Sequence, residues 1–128
     1  MGLFSKSPRP VPVWALARIV GDDVLEVHGE SSFPDSFRAL IGTAGLKAEG
    51  GTERIVTGAL VQEPHNEYDK NAIVVRAEGH VVGYVPRIEA AKLSKIIAKG
   101  GGNVTVRIRV WARLRNREVF GSARVILQ

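Results

Sequence analysis

The sequence predicts a mainly β domain of the α+β class, in which about seven strands and two short helices form a small antiparallel β-barrel, closed or partly open. Two observations lead to this prediction. Apolar runs of strand length are separated by turns rich in Gly, Asp and Asn, so that most neighbouring strands form hairpins. Only two stretches, which follow Ser31 and Pro86, have apolar residues at the three- and four-residue spacing of a helix.

The size and composition of the chain favour one soluble globular domain. It has 128 residues, of which 45% are hydrophobic, and no cysteine. These values support a single core and exclude disulfides and thiolate metal sites. No apolar run reaches the ~18 residues of a membrane span, and the first residues do not resemble a signal peptide. We therefore expect a flexible tail at residues 1–10, one barrel domain at residues 11–128, and a cytoplasmic location.

The N-terminal elements are predicted as a hairpin followed by a helix. Residues 11–20 are apolar enough for a first strand, which Pro12 confines to an edge or an end. Residues 24–28 are predicted as a second strand after a Gly-Asp-Asp turn. The first helix is predicted to begin at the serines before Pro34, which fits a first turn, and to end at Gly42 or Gly45. Three residues form its apolar face: Phe37, Leu40 and Ile41.

The remaining chain is predicted to contain five more strands and one helix. The fourth and fifth strands form a hairpin, and three consecutive glycines stop the second helix. The predicted strands lie at residues 54–62, 72–78, 81–85, 103–114 and 118–127, and the predicted helix at residues 86–99.

Positive charge is concentrated at the C-terminal end of the sequence. The net charge of the chain is +5. Residues 1–53 contain five Lys/Arg and seven Asp/Glu, and residues 54–102 contain seven and five, whereas residues 103–128 contain six Arg and the single acid Glu118. A concentrated positive stretch favours a polyanionic partner.

The penultimate strand alternates strictly between apolar and polar residues, so that one of its faces belongs to the core. The other face carries Thr105, Arg107, Arg109, Trp111, Arg113 and Arg115. One interpretation is a solvated outer face, with arginine stems lying over the tryptophan. The other is an electrostatic groove with a stacking platform, of the kind that binds single-stranded nucleic acid. The single acid nearby, Glu118, cannot neutralise the four arginines of this face.

The loop between the third and fourth strands carries the densest set of recognition groups. Tyr68, Asp69, Lys70 and Asn71 supply an aromatic face, a carboxylate acceptor, a cation and a turn-forming amide. Surface loops on a rigid frame often carry function. The loop therefore predicts a docking point for a nucleotide.

A metal site in the same loop is not predicted. Glu63, His65, Glu67 and Asp69 occur at every second position and would offer ligands to a hard cation if the segment were extended. A proline and two asparagines within it favour a turn instead. We expect neither a metal nor a cofactor.

The sequence also contains no motif that is typical of a catalytic site. No cysteine nucleophile, nucleophile-elbow serine or phosphate-binding glycine loop is present. The three lysines of the second helix, Lys92, Lys95 and Lys99, are interpreted as an ordinary solvated stripe. We therefore predict a binding module and not an enzyme.

Three segments resemble the HIRAN domain family. Residues 60–75 read Leu-Val-Gln-Glu-Pro-His-Asn-Glu-Tyr-Asp-Lys-Asn-Ala-Ile-Val-Val, residues 82–86 read Val-Gly-Tyr-Val-Pro ahead of a helix, and residues 27–33 read Val-His-Gly-Glu-Ser-Ser-Phe. The resemblance spans roughly residues 24–112. It implies an OB-like barrel of about six strands and two helices. Such domains occur alone in bacteria or fused to DNA-translocating ATPases, and in a eukaryotic member the domain holds the 3′-hydroxyl end of single-stranded DNA.

The resemblance also implies roles for individual residues. Asp69 would accept a hydrogen bond from the terminal hydroxyl, Tyr68 would stack on a terminal base, and Asn66 would help to shape the pocket. Tyr84 stands where that family member has a histidine, and Arg87 where it has a phosphate-facing lysine.

One motif departs from the family pattern. Ser31, Ser32 and Phe33 stand where that member has an arginine and two tyrosines. Phe33 retains a ring for stacking, but a phosphate contact and half of the base sandwich are lost.

Two hypotheses follow from the sequence. The first is a non-catalytic single-stranded DNA-binding module that recognises free 3′-hydroxyl ends in DNA repair or stalled-fork processing, with a helicase or another repair protein as partner. The arginine strand would then follow the DNA backbone. The alternative is a protein-interaction module of a repair complex with a degenerate DNA pocket.

Overall fold

Residues 9–128 are described by a computed structural model of the protein, and they form three α-helices, one 3-10 helix and six strands. The helices are α1 (Val13–Val20), α2 (Pro34–Lys47) and α3 (Arg87–Lys99), and the 3-10 helix is Glu30–Ser32. The strands are β1 (Val24–Glu26), β2 (Thr52–Gln62), β3 (Ile73–Ala77), β4 (His80–Tyr84), β5 (Asn103–Arg115) and β6 (Glu118–Ile126). Most of the predicted tail, residues 1–8, lies outside the described residues.

The six strands form one antiparallel sheet in the order β1-β6-β5-β2-β3-β4. The sheet curls until its two edge strands approach each other. His28, just after β1, forms an isolated antiparallel bridge with Tyr84 at the end of β4, with two backbone hydrogen bonds of 2.8 Å each. The result is a curled, OB-like half-barrel, as the sequence predicted.

The strict alternation of β5 builds the centre of the barrel. Its apolar residues Val104, Val106, Ile108, Val110 and Ala112 are all buried, and its polar residues face outward. β5 pairs with β2 on one side and β6 on the other, so its apolar face lies at the middle of the core. This part of the prediction is confirmed.

The first predicted strand is wrong, because residues 11–20 contain helix α1 instead. Pro12 is extended and precedes the helix, and the N–H of Gly21, at φ 78°, donates to the carbonyl of Ala17 to end it. Leu16 is fully buried, while Trp14 on another side is exposed. An apolar run without period-two alternation fits a helix that packs one side on the core, and α1 packs on α3 and β5. The described chain therefore has six strands, one fewer than predicted, and three α-helices, one more than predicted.

The predicted end of the first helix is also too early. Residue Gly42 leaves helical geometry, with φ 79° and ψ 162°, but it produces a kink, and α2 continues to Lys47. The predicted apolar face is confirmed, since Phe37, Leu40 and Ile41 are buried.

The predicted β-hairpin and second helix are confirmed. β3 and β4 pair in antiparallel register, and α3 begins after Pro86 and ends at the glycine run that starts at Gly100. Within residues 9–128, no helix is long and apolar enough to cross a membrane.

Candidate nucleic-acid interface

An open cleft of about 570 Å³ lies where the β2–β3 loop meets the end of β4 and the first residue of α3. Its walls combine aromatic, aliphatic and charged side chains. The lining residues are His28, Asn66, Tyr68, Asp69, Ala72, Tyr84, Val85 and Arg87.

Asn66 fixes the shape of the loop that forms one wall. Its side-chain oxygen accepts hydrogen bonds from the backbone N–H groups of Tyr68 at 2.9 Å and Asp69 at 3.1 Å. Its side-chain nitrogen donates to Oε1 of Glu63 at 3.0 Å. Asparagine is suited to this task because its amide imitates a turn of backbone. The recognition residues Tyr68 and Asp69 are thus held by the residue that precedes them.

Tyr68 presents its ring to solvent at the rim of the cleft. The residue is 83% exposed, more than any other large hydrophobic residue of the described chain. Exposure of a whole aromatic ring forgoes the burial that normally stabilises it. An exposed ring beside an open cleft provides a flat surface on which a base can stack.

Asp69 has one oxygen committed to the loop and one at the cleft. Its Oδ1 accepts the backbone N–H of Asn71 at 2.9 Å, whereas its Oδ2 lies 3.5 Å from Nε of Arg87. The side chain of Asp69 is 21% exposed and that of Arg87 is 79% exposed. A hydrogen-bond acceptor and a cation therefore stand side by side at the mouth of the cleft.

Tyr84 also lines the cleft and is held by Glu63. Its hydroxyl donates to Oε1 of Glu63 at 3.0 Å. Burial raises the pKa of Tyr84 above its ordinary value of 10.0, and the hydrogen bond to Glu63 raises it further. The phenol is therefore a neutral hydrogen-bond donor at neutral pH. Glu63 accepts hydrogen bonds from both Tyr84 and Asn66 and so connects two residues that line the cleft.

More of the positive charge on the outer face of the sheet, on β5 and its neighbour β6, is paired with carboxylates than the sequence suggested. Arg109 Nε lies 3.5 Å from Glu53 on β2, and Arg124 Nε on β6 lies 3.4 Å from Glu26 on β1. These carboxylates come from strands distant in the sequence. The expectation that Glu118 is the single acid near the arginines of β5 is therefore wrong, because Glu53 lies beside Arg109.

Trp111 is partly used for packing within the barrel wall. Its Nε1 donates to the carbonyl of Gly50 at 3.2 Å, and the ring lies so close to Gly51 that a Cβ there would collide with it. The guanidinium of Arg113 stands 6.0 Å from the ring centre. Trp111 is thus half-buried, whereas Tyr68 is 83% exposed.

The arginine face of β5 is not part of the cleft. In the sheet order, β4 and β5 are separated by β3 and β2. Around the other way, through the bridge at His28, they are separated by β1 and β6. No residue of β5 lines the cleft.

A family model described as the HIRAN domain matches residues 44–122. The chain belongs to the HIRAN domain family. The match confirms the membership that the sequence motifs predicted. The family consists of binding modules and is linked to DNA binding.

Two solved structures are similar to this HIRAN domain. A protein from Lactobacillus plantarum is 20% identical, with a TM-score of 0.45, and the match covers 80% of this chain and 90% of that one. The HIRAN domain of human HLTF is 22% identical, with a TM-score of 0.44, and the match covers 80% of this chain and 72% of that one. Among curated proteins, none matches the chain significantly.

The structure of this HIRAN domain brings five of the predicted site residues into one cleft: Asn66, Tyr68, Asp69, Tyr84 and Arg87. Two other predicted site residues, Lys70 and Phe33, do not line the cleft. Lys70 is exposed on the same loop, and Phe33 is half-buried at the start of α2. The remaining four, Arg107, Arg109, Trp111 and Arg113, belong to β5 and do not line the cleft.

His28 was missed as a cleft residue by sequence reasoning. Its position depends on the backbone bridge to Tyr84 between two strands far apart in the chain. The family-like segment around residues 27–33 was the only signal that pointed to it.

Among residues 9–128, no group of three or more potential metal ligands converges.

Proposed function

We propose that this HIRAN domain is a non-catalytic module that binds single-stranded DNA and holds a free 3′-hydroxyl end in the cleft at the β2–β3 loop. The single observation that carries the proposal is the convergence of the Asp69 carboxylate, the Tyr68 ring and the Arg87 guanidinium on one open cleft. DNA repair or stalled-fork processing, with a helicase or another repair protein as partner, is the setting that fits such an activity.

Asp69 is the residue that gives the cleft a preference for a hydroxyl end. An ionised carboxylate only accepts hydrogen bonds, so it favours a terminal O–H. A 3′-phosphate would bring negative charge against Oδ2, which lies at the cleft mouth. A hydrogen bond to a charged group contributes about 1.5–3 kcal/mol. We therefore expect a clear preference for hydroxyl over phosphate ends.

Tyr68 and Arg87 supply the two other interactions that a terminal nucleotide needs. Stacking of a base on an aromatic ring contributes about 1–3 kcal/mol, and Tyr68 offers an exposed ring for it. Arg87 offers a planar, exposed cation to the adjacent phosphate. Because Ser31 and Ser32 replace an arginine and a tyrosine of the family pattern, we expect end binding ~10- to 100-fold weaker than with the complete set.

The direct test compares fluorescent oligonucleotides that end in a 3′-hydroxyl or a 3′-phosphate. The wild-type domain should prefer the hydroxyl, and Asp69→Asn should lose most of that preference while its side-chain oxygen still accepts the Asn71 N–H. Glu67→Gln, an exposed acid of the same loop that does not line the cleft, is the matched control. Equal binding of both ends by the wild-type domain would refute end recognition.

The alternative function is a protein-interaction module of a repair complex. Two observations favour it: Ser31 and Ser32 are exposed where the family pattern has nucleotide-binding residues, and Glu26 and Glu53 pair with arginines of the outer sheet face. Failure to bind any oligonucleotide at micromolar concentration, together with capture of a repair protein, would establish this alternative.

A further inference from the structure

One side of α3 is exposed along its whole length and begins at the cleft. Arg87 is the first residue of the helix and also lines the cleft. Lys92, Lys95 and Lys99 are all exposed, and they follow on the side of the helix away from buried Ala90, Leu93 and Ile97. At a rise of about 1.5 Å per residue, the cations from residue 87 to residue 99 extend over about 18 Å.

Little negative charge opposes these cations. Glu89 is the only acid of α3, and it pairs with Lys92 at 3.6 Å. Within residues 9–128, no carboxylate lies within ion-pair distance of Lys95 or Lys99. Their positive charge is therefore available to an external anion.

The helix is attached firmly to the loop that forms the cleft. Ser94 Oγ donates to Oδ1 of Asn71 at 3.2 Å, and Gln62 Nε2 donates to the carbonyl of Ser94 at 2.8 Å. Asn71 in turn donates its backbone N–H to Asp69. These half-buried hydrogen bonds connect α3 directly to the loop that carries Asp69.

Two exposed hydrophobic residues neighbour Arg87: its guanidinium donates to the carbonyl of Tyr68 at 3.5 Å, and Ile88 follows it in the chain. Tyr68 is 83% exposed on the loop, and Ile88 is 73% exposed on the first turn of α3. Proteins that bind single strands combine a cationic track with apolar surfaces for the bases. The start of α3 has both features, whereas a merely solvated lysine stripe needs neither the exposed isoleucine nor the junction with a cleft.

We propose that the exposed side of α3 binds the phosphates of the single strand that continues from the nucleotide held in the cleft, with Lys95 and Lys99 as the main contacts. This inference rests on the proposed function and adds the path of the strand. The arginine face of β5 is the competing path, but none of its residues lines the cleft, and Arg109 on it is paired with Glu53.

The test compares the binding of two 5′-fluorescein oligothymidylates, of 3 and 12 nucleotides, to three proteins. These are the wild-type domain, K95Q/K99Q, and R107Q/R115Q as a control that removes two exposed charges from β5. A short ligand fills the cleft alone, while a long ligand reaches along α3. We expect K95Q/K99Q to bind the 12-mer about 3- to 10-fold more weakly and the 3-mer unchanged, with the control close to wild type.

Salt dependence gives a second measurement of the same contacts. On single strands, log K falls by about 0.7 per phosphate contact for each unit of log salt concentration. K95Q/K99Q should therefore lower the slope for the 12-mer by about 1.4. An unchanged slope and affinity in K95Q/K99Q, or an equal loss in R107Q/R115Q, would overturn the inference while leaving the cleft proposal intact. Absence of binding of both oligonucleotides to the wild-type domain would instead overturn the proposed function.

Discussion

Arg87 Nε lies 3.5 Å from Oδ2 of Asp69, and this ion pair forms the mouth of the cleft. The guanidinium is largely exposed, so the pair is screened by water and contributes about 0–1 kcal/mol to folding. Its position at the cleft, more than its contribution to stability, distinguishes it from the other exposed ion pairs of the domain.

Arg87→Gln should reduce DNA binding without reducing stability. We expect the free energy of unfolding to change by less than about 1 kcal/mol, and the salt slope of single-strand binding to fall by about 0.7. Urea unfolding and fluorescence anisotropy at several salt concentrations measure the two quantities. Arg107→Gln is the control, and an equal loss of affinity in it would contradict a special role for Arg87.

Asn66→Ala should loosen the loop that carries Tyr68 and Asp69. The substitution removes the acceptor of two backbone N–H groups and the donor to Glu63. Loss of these hydrogen bonds should cost about 1–3 kcal/mol and weaken oligonucleotide binding. Hydrogen exchange at the amides of Tyr68 and Asp69 should become faster, and exchange that stays at the wild-type rate would contradict this account of the loop.

Tyr84→Phe tests the hydrogen bond that holds the cleft residue Tyr84 to Glu63. At neutral pH the loss of the hydroxyl that donates to Glu63 should destabilise the domain by about 1 kcal/mol. The stability difference from the wild-type protein should be constant from about pH 7 to about pH 9, because the phenol is protonated in both the folded and the unfolded state there.

Above the ordinary pKa of 10.0, the unfolded state of the wild-type protein releases the Tyr84 proton while the folded state, with its raised pKa, retains it. Folding of the wild-type protein therefore loses stability as pH rises through this range, and the phenylalanine variant lacks this loss. The stability difference between them should narrow above pH 10. Urea titrations from pH 7 to 11 measure it, and a difference that widens would be inconsistent with the raised pKa.

Gly121→Ala should destabilise the barrel. The side chain of Phe37 is fully buried against Gly121, and a Cβ at residue 121 would collide with its ring. Overpacking of this kind costs about 1–3 kcal/mol. The double variant Gly121→Ala/Phe37→Leu should recover part of the loss in thermal unfolding, and the neighbouring outward-facing substitution Ser122→Ala should have little effect.

Local sequence was enough to predict the elements whose pattern is regular. Side chains alternate between the two faces of a strand, so the period-two pattern of β5 identified its buried side without a structure. The hairpin of β3 and β4 and the boundaries of α3 followed from turn and breaker residues. The same reasoning failed for α1, because a short apolar run has no period that separates a strand from a helix packed on the core.

The recognition loop was likewise visible in the sequence, since Asn66, Tyr68 and Asp69 interact with one another over two or three residues. Tertiary structure alone decided the rest. It placed His28 beside Tyr84, brought Glu26 and Glu53 to the arginines of β6 and β5, and built the cleft beside the start of α3 without a residue of β5. These relationships join residues far apart in the chain, and they depend on how the curled sheet buries its core, which no local pattern encodes.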